Sequence, residues 1–160
     1  MKNIIILGAG MVGRAMALDL AKKHNVTSVD LSAKSLALVD NDNIKKIEAD
    51  LSDPAKIREL IQGNDLVISA VPGFMGYKTV ETIIEAGMNC VDISFMPEDS
   101  LKLDALAKEK GVTVITDMGV APGMSNLLAG YAASRMEEVE NIEIYVGGLP
   151  RIRRKPWEFK

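Results

Sequence analysis

Short apolar, β-branched runs alternate with segments whose apolar residues recur at helical spacing, and the alternation continues through most of the chain. The pattern predicts strands at residues 3–7, 26–29, 44–48, 66–70, 90–93, 112–116 and 142–146. Several of these runs are almost unbroken in apolar character, as strands covered on both faces are. After the first of them, Val12, Ala15, Met16 and Leu20 share one helical face. Asp53-Pro54 marks a second helix start, because aspartate accepts from free N–H groups and proline at the first helical position forfeits no hydrogen bond. Ile57, Leu60 and Ile61 then fall on one face, and Gly63 suits the left-handed stop. Gly87 and Gly111 close the apolar-patterned segments 79–86 and 101–110 in the same way, each followed at once by another strand. Repeated strand–helix units of this kind build a parallel sheet with right-handed crossovers and helices on both faces. The expected fold is therefore α/β, a doubly wound, mostly parallel sheet in three αβα layers, spanning residues 1–146. Residues 147–160 contain no self-contained element and read as a tail leading towards a further, substrate-binding domain.

The first strand runs directly into Gly8-Ala9-Gly10-Met11-Val12-Gly13, a G-x-G-x-x-G sequence. Glycine-rich turns are common, so the pattern gains weight from its setting: a strand before, a helix after, and an acid at the end of the next strand. Gly8 permits the tight turn and Gly10 lets the backbone approach a pyrophosphate. Gly13 brings the helix close to the sheet, while the free N–H groups of Met11, Val12 and Gly13 and the helix dipole favour an anion. Asp30 follows Gly8 by 22 residues, where the second strand should finish. A carboxylate there accepts the ribose hydroxyls of adenosine and repels a 2′-phosphate. Leu31, Ser32 and Ala33 offer no arginine to hold such a phosphate, although Lys34 is near. The expected cofactor is NAD in preference to NADP, in a fold of Rossmann type.

Ligands of open α/β sheets bind beyond the carboxyl ends of the strands. Asp50 and Leu51 are expected beside the adenine, and Ser69, Ala70, Val71 and Pro72 where the chain passes the phosphates and the nicotinamide ribose. Asp92, Ser94 and Asp117 end the next two strands. Each of these aspartates has an ordinary alternative as a cap or turn former. His24, the sole histidine, lies at the far end of the first helix, about 20 Å from the glycine loop, and reads as a capping or surface residue. Cys90 opens a buried strand and is expected to pack.

Composition narrows the classes further. The chain has 160 residues, 48% hydrophobic and 26% charged, which suits one globular domain. Its net charge of −3 gives no electrostatic reason to expect nucleic acid or an anionic membrane. The run from Ile4 to Leu7 is too short for a signal peptide, and no segment approaches the roughly 18 apolar residues of a span. One cysteine forms no internal disulfide, which fits a reducing cytoplasm. One histidine and one cysteine make no zinc constellation, so no metal is expected.

Four segments beyond the glycine loop are more distinctive: Ser69-Ala-Val-Pro-Gly73, Val91-Asp-Ile-Ser-Phe95, Asp117-Met-Gly-Val-Ala-Pro-Gly-Met-Ser-Asn126 and Tyr145-Val-Gly-Gly-Leu-Pro150. In this order they resemble the saccharopine dehydrogenase family, and within it most closely the lysine 6-dehydrogenases. The resemblance runs from Gly8 to Trp157, and Ala121–Asn126 is its most telling part. It implies an NAD(P)-dependent oxidoreductase acting at a carbon–nitrogen bond of lysine or a lysine conjugate. In a lysine 6-dehydrogenase, hydride leaves the ε-carbon for the nicotinamide and water releases ammonia and an aldehyde. Family members are about twice this length or more, so turnover by these residues alone is not expected. On this reading Ser94, Asp117 and Asn126 are substrate-side candidates; Asp117 and Asn126 have the alternative of only fixing the loop, which is preferred for Asn126. The catalytic base is not identified, and a homodimer is compatible with the pattern. A saccharopine or carboxynorspermidine dehydrogenase is the neighbouring alternative. A different class, a nucleotide-sensing regulatory module of a potassium transporter, shares the short length and glycine loop but has no need of Ala121–Asn126.

Overall fold

Ile4, Ile5, Ile6 and Leu7 are all buried, although alternate residues of a strand face opposite ways. The cause is a sheet sandwiched between two helical layers. In a computed structural model, which describes residues 1–145, β1 (Asn3–Leu7) leads to α1 (Met11–Leu20), β2 (Asn25–Asp30), α2 (Ala33–Ala37) and β3 (Lys45–Glu48). Then come α3 (Pro54–Ile61), β4 (Leu66–Ser69), α4 (Gly73–Glu85), β5 (Cys90–Asp92), a 3-10 turn (Ser100–Leu103), α5 (Asp104–Lys110), β6 (Val114–Ile115) and α6 (Met124–Ala133). The strands pair in the order β3-β2-β1-β4-β5-β6, and every pairing is parallel. The expected doubly wound α/β fold is the observed one.

Residues Met1–Gly119 form one compact unit, and the described residues from Val120 onward belong to a second. In the first, Ile4, Ile6, Val26 and Ile68 pack with Ala17 of α1 and Leu36 of α2. The opposite face buries Ile5, Leu7, Val67 and Cys90 against Ile57 and Ile61 of α3 and Val80, Ile83 and Ile84 of α4. Each of the buried isoleucine, leucine and valine side chains contributes about 1.5–3 kcal/mol through its burial. Helix ends follow local chemistry: Asp53 Oδ1 accepts from Ala55 N at 2.8 Å, with Pro54 beside it, and Gly111 ends α5 at φ 65°.

In the second unit no residue of α6 is buried, and Leu127, Leu128 and Tyr131 are exposed. A cleft of about 630 Å3 within this unit is lined by Val120, Met124, Leu128, Met136, Ile142 and Tyr145, among others.

The structure changes four expectations. Residues 142–145 form no strand; they lie exposed, with no neighbouring strand among the described residues to take their backbone hydrogen bonds. Val146 and the tail at 147–160 fall outside the described residues. The helix expected over 79–86 begins six residues earlier, at Gly73, and the one expected over 101–110 opens with a 3-10 turn. The short α2, capped by the Ser32 hydroxyl accepting from Ser35 N at 3.2 Å, is additional.

Candidate dinucleotide site

The loop joining β1 to α1 is built by steric exclusion. Gly8 has φ 109°, and a Cβ there would stand 2.5 Å from the Ala70 carbonyl oxygen. A Cβ on Gly13 would stand 2.0 Å from the Gly8 carbonyl oxygen, so the first turn of α1 rests directly on the loop. Gly10 differs: a Cβ there would meet nothing within 4 Å. Its missing side chain leaves space open above the backbone instead of allowing protein to pack. Gly10 is also the N-cap of α1 and supplies no side-chain acceptor, so the N–H groups of the first turn remain available to an anion.

Asp30, at the end of β2, ties this loop down. Its Oδ2 accepts from Ala9 N at 2.7 Å and its Oδ1 from Ser32 N at 2.8 Å. The carboxylate is half-buried, with lone pairs left for a ligand. At the end of β3, Asp50 Oδ1 accepts from Ser52 N at 2.8 Å, and the Ser52 hydroxyl and N–H hold its carboxyl below the usual value.

These residues surround one cleft of about 710 Å3, a volume suited to a cofactor or drug-sized ligand. Gly8, Gly10, Met11, Val12, Gly13, Asp30, Asp50, Leu51, Ala70, Val71 and Pro72 all line it. Ser69 does not. It is fully buried, in register with Leu7 and Asp92, and so faces the α4 layer and not the cleft. Leu31, Ser52, Phe74, Met75 and Ile93 also line the cleft and were not expected there. Leu31 and Ser52 directly follow or flank the strand-end acids, which was the available signal. Phe74 and Met75 became visible only once α4 was seen to start at Gly73.

The substrate-side candidates separate. Asp92 and Ser94 are buried together, with Ser94 N and Oγ donating to Asp92 Oδ2 at 3.1 and 2.9 Å. Asp117, half-buried at φ 57°, follows β6, and the next residue's N–H donates to the Asp92 carbonyl at 3.0 Å. Asn126 belongs to the second unit, where its Oδ1 accepts from Gly123 N at 3.1 Å and from Ser125 Oγ at 3.3 Å. That is the loop-fixing alternative. His24 stands at the amino edge, where its Nδ1 accepts from Lys2 N at 3.4 Å. Cys90 is buried, and burial pushes its thiol well above the ordinary value.

Sheet order, glycine loop and strand-end acid together define a nucleotide-binding α/β domain of Rossmann type. Residues 4–115 match the family model described as "Saccharopine dehydrogenase NADP binding domain". The chain belongs to this family. Its similar relatives include the *Saccharomyces cerevisiae* saccharopine dehydrogenase [NADP(+), L-glutamate-forming], 27% identical over 160 residues, which covers 93% of this chain and 35% of that enzyme. The mitochondrial alpha-aminoadipic semialdehyde synthase of *Mus musculus* is 27% identical over 157 residues, covering 93% of this chain and 17% of the relative. The solved structure of the apo, histidine-tagged saccharopine dehydrogenase (L-Glu forming) from Saccharomyces cerevisiae superposes with TM-score 0.73 at 25% identity, over 84% of this chain and 31% of that one. The chain thus spans about a third or less of the length of these relatives.

Proposed function

We propose that the chain is the cofactor domain of an oxidoreductase that acts on a CH–NH2 or CH–NH group of lysine or a lysine conjugate, in the manner of a lysine 6-dehydrogenase, and that it prefers NAD to NADP. The observation that carries the cofactor preference is the pair Asp30 and Leu31. A carboxylate fixed at the cleft by two backbone N–H groups meets a free ribose hydroxyl as an acceptor and a 2′-phosphate as a like charge. Leu31, beside it in the lining and 66% exposed, offers that phosphate no cation. The names of the family model and of the yeast relative specify NADP; the preference proposed for this chain rests on its own Asp30 and Leu31.

When bound, a nicotinamide dinucleotide supplies the hydride acceptor. The chain's own work is to seat the pyrophosphate over Gly10 and the start of α1, to hold adenosine at Asp30, and to wall the other end of the cleft with Pro72 and Ile93. Binding of the dinucleotide does not by itself distinguish a lysine 6-dehydrogenase from a saccharopine or carboxynorspermidine dehydrogenase; substrate contacts decide among them.

The reaction is tested by incubating the protein containing this chain with NAD and L-lysine while following NADH and ammonia. Equal formation of both supports the lysine 6-dehydrogenase reading. NADH formed from saccharopine, with glutamate and no ammonia, would move the protein to the saccharopine dehydrogenases. No turnover of any lysine derivative would contradict the proposal.

A further inference from the structure

The carboxyl end of β5 contains a buried acid that the proposed cofactor contacts do not use. Asp92 is fully buried and does not line the cleft, whereas its neighbour Ile93 does. Its Oδ2 receives both donors of Ser94, and its own carbonyl receives Met118 N. Ile93 N donates to the Ser69 carbonyl at 3.0 Å. The chain then turns sharply through Phe95 at φ 53°, a left-handed conformation unusual for a bulky residue. The turn is pressed against α4 at two glycines. A Cβ on Gly76 would stand 2.0 Å from Ser94 Oγ, and one on Gly73 would stand 2.8 Å from the Phe95 carbonyl oxygen. Residues 92–95 and the first turn of α4 therefore interlock, and both sides carry cleft residues: Ile93 on one, Phe74 and Met75 on the other.

One oxygen is left over. Asp92 Oδ1 has no hydrogen-bond partner, and neither has the hydroxyl of Ser69, its in-register neighbour on β4. Buried polar atoms are rarely left unpaired. A hydrogen bond between Oδ1 and the Ser69 hydroxyl, in either direction, would satisfy both atoms while Oδ2 kept its two bonds from Ser94.

We propose that Asp92 is a positioning residue for the dinucleotide cleft: by accepting both donors of Ser94, it fixes the 92–95 turn that presents Ile93 and braces the start of α4. The inference rests on the dinucleotide reading. Its electrostatic surroundings agree with it. Burial raises the carboxyl above its ordinary value, the Ser94 donors pull the other way, and the charge of Asp117 after β6 raises it further. Cys90, two residues back on β5, is a thiol that burial keeps uncharged. On α4, the first turn that meets Ser94 and Phe95 carries no charged side chain, and Lys78 is exposed and paired with Glu81.

The test is titration of the chain with NAD for wild type, Asp92→Ala and Asp92→Asn. Asparagine keeps an acceptor for the Ser94 donors. Asp92→Ala should bind NAD about tenfold more weakly, and Asp92→Asn should restore binding to within about twofold of wild type. If Asp92→Ala fails to fold, Ser94→Ala, which removes the hydroxyl donor to the same oxygen, should weaken binding about threefold. NAD binding by Asp92→Ala or, where that variant does not fold, by Ser94→Ala equal to wild type, or binding by Asp92→Asn as weak as by Asp92→Ala, would overturn this inference alone. A folded wild type that binds no dinucleotide would overturn the cofactor reading and this inference with it.

Discussion

Two aspartates end two strands of the same sheet, Asp30 on β2 and Asp92 on β5, and each accepts the backbone N–H two residues on. Beyond that they diverge. Asp30 is half-exposed at the cleft, with both oxygens on backbone N–H groups. Asp92 is sealed beneath α4, with one oxygen unpaired and no cation among the groups that act on it. The same residue type at the same edge is thus a ligand acceptor in one place and an internal brace in the other. The difference is which face of the strand the side chain takes and whether water reaches it.

The comparison is broken most severely at Asp30. Asp30→Ala removes the ribose acceptor and releases both Ala9 and Ser32, so dinucleotide affinity should fall by roughly two orders of magnitude. Calorimetric titration measures this, and loss of less than about threefold would mean that Asp30 only shapes the loop. Gly10→Ala is a cleaner probe of the cleft. Its φ of −62° tolerates alanine, and the added Cβ meets no protein atom. The melting temperature should hold to within about a degree while affinity drops about tenfold; unchanged affinity would place the pyrophosphate elsewhere. Leu31→Arg should raise the NADP/NAD affinity ratio about tenfold by supplying the missing cation, and an unchanged ratio in competition titrations would remove Leu31 from the selectivity account.

The smallest effect separates the two acids by pH. Asp92 has its folded-state pKa raised, so its contribution to stability is full below the unfolded-state value and is lost as pH rises through the folded one. The melting temperature of wild type relative to Asp92→Asn should therefore decline by a degree or two from acid to neutral pH. A relative rise with pH would show an acid stabilised as its anion.

Much of this was legible in the chain. β1 forms where its apolar run predicts, Asp53-Pro54 starts α3, and Gly63, Gly87 and Gly111 all adopt positive φ. What was not legible depends on tertiary contact. The start of α4, Gly-Phe-Met-Gly-Tyr, has no apolar spacing of its own, because Gly73 and Gly76 serve close approach to residues 94 and 95. Ser69 was grouped with the cleft by its place in a motif, although strand alternation puts it on the face of Leu7. Residues 142–145 carry a strand-like pattern but find no neighbour to pair with among the described residues, and sequence periodicity cannot supply one. α6 is apolar, yet none of its residues is buried, so apolar pattern alone does not report burial there.

The most direct test of the account is titration of the wild-type chain with NADH and NADPH side by side. The account predicts saturable binding of both, with NADH tighter by about tenfold or more. Tighter NADPH binding would contradict the role given to Asp30 and Leu31, and the absence of either complex with folded protein would contradict the cofactor site itself.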